Sequence, residues 1–389
     1  LLPAALAAGQ VGEGEIRELA ERLARFHRDA ATAGPETPWG QSEAVLQPVL
    51  DNLTALGDCP GAQAHLGPLT AWVRQQAGAL QPWFSQRQRG GHIRECHGDL
   101  HLGNMLLGAS GIEVFDALEF SETLRWIDPI SELAFLVMDL AVRGRADLGT
   151  LLLNSWVEAS GDGEGLRGWA WYSVYRALVR AKVSWLRLKQ SGLAAAESSR
   201  IQTELASYLR LAMDWIQRQS QPLVLMHGLA GSGKSTVAVA LSQQLGAVVF
   251  RSDVERKRLF GLWGVRPTRQ MEGELYGPAA SKHLYGITLP ALVEAASAGG
   301  LAVIVDACFL RRSERQRMVA LAGKLGIPVQ IVVCTAPEPL LRQRLLERAA
   351  AGSDPSDATV EVLQSQQNWL EPLDPDEKGL VMAAEELVP

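Results

Sequence analysis

Cysteine is scarce in this 389-residue chain. Its four residues, Cys59, Cys96, Cys308 and Cys334, form no C-x-x-C pair. That indicates neither a zinc ribbon nor a disulfide framework, and buried reduced thiols are expected instead. No apolar run is long enough to cross a bilayer. The opening Leu1-Leu-Pro-Ala lacks the basic stretch of a signal peptide, so a cytoplasmic location and no membrane partner are expected. Basic excess is missing too. The net charge is −6, which argues against a general nucleic-acid binder. Lysine is absent until Lys182. Internal repeats and low-complexity tracts are absent. What remains is 47% hydrophobic and 21% charged, an ordinary globular balance, at a length that suits two or three domains.

The texture changes twice along the chain. Apolar residues at Ile16, Leu19, Ala20, Leu23 and Phe26 predict a helix over 15–31. Further helices are expected at about 42–56 and 62–88. Short extended segments follow around 92–96, 105–107 and 112–115, and helices resume at 129–142, 146–159, 165–190 and 194–219. The run Gln219-Ser-Gln-Pro222 marks the boundary between domains 1–219 and 220–389. Beyond it, β-branched runs at 223–226, 247–250, 302–305 and 329–333 alternate with helical patterns, which predicts a parallel sheet covered on both faces.

The second domain opens with Gly228-Leu-Ala-Gly-Ser-Gly-Lys-Ser235, set between an apolar run and a helical pattern. This is the spacing of a phosphate-binding loop. Gly228, Gly231, Ser232 and Gly233 let backbone N–H groups curl around phosphate oxygens. Lys234 reaches the terminal phosphates, and the Ser235 hydroxyl holds Mg²⁺. The helix that continues through Thr236 turns its positive end to the same anion. ATP with Mg²⁺ is the expected cofactor.

Three features point beyond nucleotide binding. Leu301-Ala-Val-Ile-Val-Asp306 ends an apolar strand in a carboxylate suited to orient the metal. Asp253 follows the second strand, where a carboxylate faces the transferring phosphate and takes a proton from an acceptor hydroxyl. The alternative for Asp253 is a first-turn residue beside a Ser252–Glu255 capping box. Arg344 and Arg348 share one helix face before the polar loop 351–357 and can fold onto the transferring group. The alternative for them is a solvated face paired with Glu338 or Glu347. Arg311 and Arg312 are weaker candidates of that kind. Together these elements resemble the small P-loop kinases: gluconate kinase, zeta-type toxins, chloramphenicol phosphotransferase and polynucleotide kinase. The resemblance covers about 220–375 and implies phosphoryl transfer to a hydroxyl of a small molecule. Arg266, Arg269, Tyr276, Lys282 and His283 are candidates for an acceptor pocket.

The first domain carries its own motif, His97-Gly-Asp-Leu-His-Leu-Gly-Asn104, with Asp116 twelve residues beyond Asn104. In protein-kinase-like chemistry a loop Asp orients the acceptor hydroxyl, an Asn five residues on binds Mg²⁺, and an Asp after the next hairpin binds the metal between phosphates. Asp99, Asn104 and Asp116 fit these roles. His97 is expected to brace the loop and His101 to be structural. The pattern, with Arg125-Trp-Ile-Asp128 ahead of an apolar helix, resembles the aminoglycoside phosphotransferase and choline kinase family. It implies the helical C-lobe of a protein-kinase-like fold over about 14–215. Such kinases also carry a β-rich N-lobe with a Gly-rich strap and a strand Lys. About a dozen residues precede the first helix here, and Lys182 is the first lysine. Either a lobe lies upstream of this chain or the first site is disabled.

The fold class expected is therefore multidomain: a mostly α-helical kinase C-lobe without its N-lobe, then an α/β P-loop NTPase with a parallel sheet. The order of the halves resembles a bacterial family of bifunctional aminoglycoside phosphotransferase-like and ATP-binding proteins. Two other readings stay open. One is a nucleotide switch whose first half is a degenerate kinase lobe that holds a ligand or partner. The other is a zeta-like nucleotide-sugar kinase.

Overall fold

The computed structural model describes residues 1–263, 275–351, 356 and 358–384. The chain divides into two compact units, Leu1–Gln219 and Ser220–Pro389.

Nine helices are described in the first unit: α1 (Leu2–Ala7), α2 (Glu13–Asp29), α3 (Ser42–Ala55), α4 (Gln63–Arg89), α5 (Glu122–Arg125), α6 (Pro129–Val142), α7 (Ala146–Ser160), α8 (Trp169–Leu188) and α9 (Ala195–Gln217). α2 buries Ile16, Leu19, Ala20, Leu23 and Ala24 against α7 and leaves its charges outside. α6 is apolar nearly all round because it lies between α7 and α8. Asp128 starts it by accepting the Ile130 N–H at 3.0 Å, with Pro129 at the first position. Two small antiparallel pairs break this helical body. Strand β1 (Arg94–Glu95) pairs with β4 (Trp126–Ile127), and β2 (Met105–Gly108) forms a hairpin with β3 (Gly111–Val114). The helix expected over 165–190 begins instead as a 3₁₀ turn at Glu164–Gly168.

The second unit is a five-stranded parallel sheet in the order β6 (Val248–Arg251), β7 (Val303–Asp306), β5 (Leu223–His227), β8 (Val329–Val333), β9 (Val381–Ala383). Every residue of β5 is buried, as befits a central strand paired on both edges. The described helices around the sheet are α10 (Lys234–Leu245), α11 (Ser252–Leu259), α12 (Pro278–His283), α13 (Leu289–Ala298), α14 (Arg312–Leu325), α15 (Glu338–Ala351) and α16 (Val360–Trp369). A π-helical turn, Leu284–Thr288, joins α12 to α13. Val224, Met226, Ile304 and Val332 pack with Ala238 and Leu241 of α10 in one core cluster. Among the described helices none is long and apolar enough to cross a membrane.

Candidate active site

β5 ends in His227, and the chain turns at once into the loop Gly228–Ser235. The turn needs glycine. Gly228 has φ 145°, and a Cβ there would strike the Cys334 carbonyl oxygen. Gly231 has φ 81°, and a Cβ there would lie 2.9 Å from the Leu341 carbonyl oxygen. Gly233, also left-handed, caps α10. Lys234 is buried, and its Nζ donates to the Gly228 and Leu229 carbonyls at 2.9 and 2.8 Å. Among the described residues no group bonds the buried Ser232 hydroxyl. A tight glycine cradle, an unpartnered hydroxyl and the free first N–H groups of α10 fit the phosphates of a nucleotide.

The metal ligands expected from the sequence meet directly. Ser235 Oγ donates to Asp306 Oδ2 at 2.7 Å. The parallel register sets Arg251 opposite Asp306, with Arg251 Nε 3.6 Å from Oδ2. Burial pushes the Asp306 carboxyl above its ordinary value. Lys234, the Ser235 hydrogen bond and Arg251 act against that push, and the charge of Asp253 adds to it. A hydroxyl beside a carboxylate is a hard oxygen pair suited to Mg²⁺.

Asp253 lies in the first turn of α11 and lines the same cleft as Gly231, Gly233, Lys234, Ser235, Thr236 and Asp306. The expected Ser252–Glu255 capping box is not formed. Ser252 is already helical, Arg251 is the N-cap without a side-chain bond, and Glu255 contacts Arg258 at 3.3 Å. Arg348 lines the cleft, and Arg344 Nη1 donates to the Gly231 carbonyl at 3.0 Å. Glu338 pairs with Arg342, and Glu347 accepts from Gln343. The lesser candidates divide. Tyr276 lines the cleft under the Arg256 guanidinium. Lys282 and His283 are exposed. Arg311 lies over the Trp369 ring, and Arg312 pairs with Asp374 and Asp376. Arg266, Arg269 and most of 351–357 fall outside the described residues.

Gln366 and Arg251 were missed by sequence reasoning. Gln366 Oε1 accepts the Ala230 N–H at 2.7 Å, and its Nε2 lies 3.5 Å from Cys308 Sγ, so α16 braces the loop. No local pattern signals a contact 136 residues away. Arg251 was readable only from the register of two strands.

In the first unit, Asn104 Nδ2 donates to the Asp99 carbonyl at 3.0 Å and to its carboxylate at 3.2 Å. Asp116 is exposed, with φ 63°. It follows Phe115, whose N–H donates to the Asn104 carbonyl and whose carbonyl accepts from His97 Nε2 at 2.8 Å. His97 therefore braces the two ends of the motif. His101 Nδ1 accepts from Gly103 N, and its Nε2 lies 3.4 Å from the Asp99 carboxylate. Burial pushes the Asp99 carboxyl up, but the His101 hydrogen bond and the charges of His101, Arg176 and Arg180 hold it below its ordinary value.

The peptide of Gly98 is held from both sides. Glu132 Oε1 accepts its N–H at 2.7 Å, and Arg176 Nη1 donates to its carbonyl at 3.1 Å. A buried carboxylate in an otherwise apolar helix was the available signal for Glu132, and α6 carries a second one, Asp139. Glu132, His27 and Cys96 lie within 4.8 Å of one another, all buried. The Trp156 Nε1–H donates to His27 Nδ1 at 3.1 Å, so the His27 proton sits on Nε2 and donates to Glu132 at 2.9 Å. That arrangement suits a hydrogen-bond relay. A metal-binding histidine turns its second nitrogen to an acceptor.

A central strand, a glycine loop and a helix, with Asp306 on the adjacent strand, define the second unit as a P-loop domain. The sequence profile described as the AAA domain matches residues 223–373. The chain is 30% identical over 372 residues to uncharacterized proteins of Mycobacterium tuberculosis (Rv2004c) and Mycobacterium bovis (Mb2027c), covering 93% of this chain and 71% of theirs. It belongs to that family. A tRNA dimethylallyltransferase of Anaeromyxobacter dehalogenans is 31% identical over 134 residues, 33% of this chain and 42% of that one. Among solved structures, a gluconokinase from Sinorhizobium meliloti 1021 aligns at 22% identity with a TM-score of 0.27, covering 44% of this chain and 89% of that one. A sugar kinase from Janibacter sp. HTCC2649 aligns at 22% identity with a TM-score of 0.28, covering 44% and 91%.

Proposed function

We propose that the second unit is an ATP- and Mg²⁺-dependent phosphotransferase acting on a hydroxyl of a small molecule. The observation that carries this reading is the position of Asp253. A nucleotide switch needs the phosphate loop and a metal carboxylate. Here a second carboxylate lines the cleft with Lys234, Ser235 and Asp306. The loop amides, Lys234 and Arg348 would hold phosphate oxygens, with Arg344 held against the loop. Ser235 and Asp306 would hold Mg²⁺, which when bound draws off charge from the transferring group. Asp253 would take the acceptor hydroxyl's proton as that oxygen bonds to the terminal phosphorus of ATP, while the bond from this phosphorus to the bridging oxygen breaks and ADP leaves with the electron pair.

Asp253→Asn is expected to lower acceptor-dependent ADP formation by at least ~100-fold while leaving the Kd for ATP, measured by isothermal titration, unchanged within about twofold. Undiminished transfer would exclude Asp253 as the base. ATP hydrolysis that no acceptor accelerates, in a broad screen of alcohols, would favour the switch.

The first unit is proposed as an aminoglycoside phosphotransferase-like C-lobe, with Asp99 toward an acceptor and Asn104 and Asp116 toward metal. The clamp on Gly98 and the Asp99–Asn104 contact support that reading.

A further inference from the structure

Among the described residues, three cations line the phosphate cleft, Lys234, Arg251 and Arg348, with two carboxylates, Asp253 and Asp306. The cations are not equivalent. Lys234 rests on peptide carbonyls of the loop. Arg251 leans on Asp306, the carboxylate suited to Mg²⁺, and its Nε stands 3.6 Å from Oδ2. The same oxygen accepts the Ser235 hydroxyl at 2.7 Å. A hydroxyl and a guanidinium thus converge on one oxygen of the pair that would hold the metal.

A structural tie explains this contact poorly. The pairing of β6 with β7 runs through Arg251 and Asp306 themselves, so backbone already joins the two strand ends. The separation of 3.6 Å is longer than a hydrogen bond. The Arg251 side chain is 21% exposed and that of Asp306 6%, so the guanidinium reaches the carboxylate from the wetter side of the cleft. An ion pair of this kind is attractive and readily given up.

Charge decides what the contact does. A divalent ion that approaches Asp306 alone meets a positive group beside the carboxylate, in a cleft where the described cations outnumber the described carboxylates. A nucleoside triphosphate reverses that balance. Its oxygens also offer the guanidinium charge-assisted hydrogen bonds, which are stronger than an ion pair at 3.6 Å.

We propose that Arg251 is a counter-cation that keeps Asp306 from taking a divalent ion until the phosphates arrive, so that metal and nucleotide enter together. The proposal rests on the Mg²⁺-nucleotide reading of this cleft. It asks nothing of Asp253 or of the acceptor.

The test is a Mn²⁺ titration of the full chain, followed by electron paramagnetic resonance, with and without a saturating non-hydrolysable ATP analogue. Arg251→Gln removes the charge and is expected to tighten nucleotide-free Mn²⁺ binding about tenfold. Arg251→Met takes its place if that variant fails to fold. Arg251→Lys keeps the charge and is expected to stay within about twofold of wild type. Adding Asp306→Asn to Arg251→Gln is expected to abolish the gain, which assigns the ion to that carboxylate. With the analogue bound, the advantage of Arg251→Gln is expected to vanish or reverse. A gain that Arg251→Lys shares in full, that survives Asp306→Asn or that persists with the analogue overturns the proposal. So does nucleotide-free affinity unmoved by Arg251→Gln in a protein that binds Mn²⁺ with the analogue. Mn²⁺ that binds no form of the protein, even with the analogue, overturns the metal-nucleotide reading as well.

Discussion

Gly228 shows how little latitude a single position in the phosphate loop has. Its φ of 145° is open to few side chains, and its Cα faces the Cys334 carbonyl. Gly228→Ala is expected to destabilise the second unit by ~1–3 kcal/mol, read as a lower urea midpoint, and to weaken ATP binding. Asp306 makes the opposite trade. Burial raises its carboxyl pKa in the folded chain. The fold therefore prefers the protonated form, and Asp306 costs stability as pH rises from the ordinary carboxylate range through its raised value. Asp306→Asn is expected to melt above wild type at neutral pH without metal, with the difference closing at low pH. Saturating Mg²⁺ with ATP should reverse that order. Equal melting at pH 7 would show that the carboxylate carries no burial penalty.

Helix α14 is tied down by a side chain that no motif flagged. Arg315 is wholly buried and meets Glu377 at 2.7 and 2.9 Å, while donating to the carbonyls of Phe309, Leu310, Glu371 and Pro372. Removing the partner strands a buried charge, so Glu377→Ala is expected to cost ~3–5 kcal/mol in chemical denaturation. A loss below ~1 kcal/mol would show that the carbonyls alone suffice. This contact also shows where sequence reading stops. The four longer strands of the sheet, the helices α6 and α10 and the glycine loop were legible because periodicity, turn residues and motif spacing are local. β9 is only Val381–Ala383, half-buried at a sheet edge, and has too few residues to show a pattern. Helix α1 was missed for the same reason. The Ser252 capping box failed because the strand's last residue, Arg251, took the cap position. Lys234, Ser235, Asp253 and Asp306 were legible as a set because each ends a strand or opens the helix that follows one, at the edge where an open parallel sheet gathers its ligands. Gln366, Glu132 and Arg176 act across long sequence separations, and only folding brings them to their loops.

At the scale of the whole chain, clustering of contacts separates two compact units, Leu1–Gln219 and Ser220–Pro389. Limited proteolysis is therefore expected to cut near Gln219 and leave two resistant fragments. Calorimetry is expected to show two transitions, and a non-hydrolysable ATP analogue with Mg²⁺ at about 100 times its Kd should raise that of the second unit by ~2.7 kcal/mol of stability. A single cooperative transition, shifted as a whole, would mean the halves unfold together. The scarcity of cysteine has a practical side as well. Cys59, Cys96 and Cys334 are buried, whereas Cys308 is partly open and lines the nucleotide cleft. Burial raises its thiol, so alkylation will be slow at neutral pH and faster in mild alkali. If nucleotide fills the cleft as proposed, Cys308 is expected to escape labelling in proportion to occupancy, which intact-mass spectrometry at increasing ATP would count; labelling indifferent to saturating ATP would show that the thiol lies clear of the bound nucleotide.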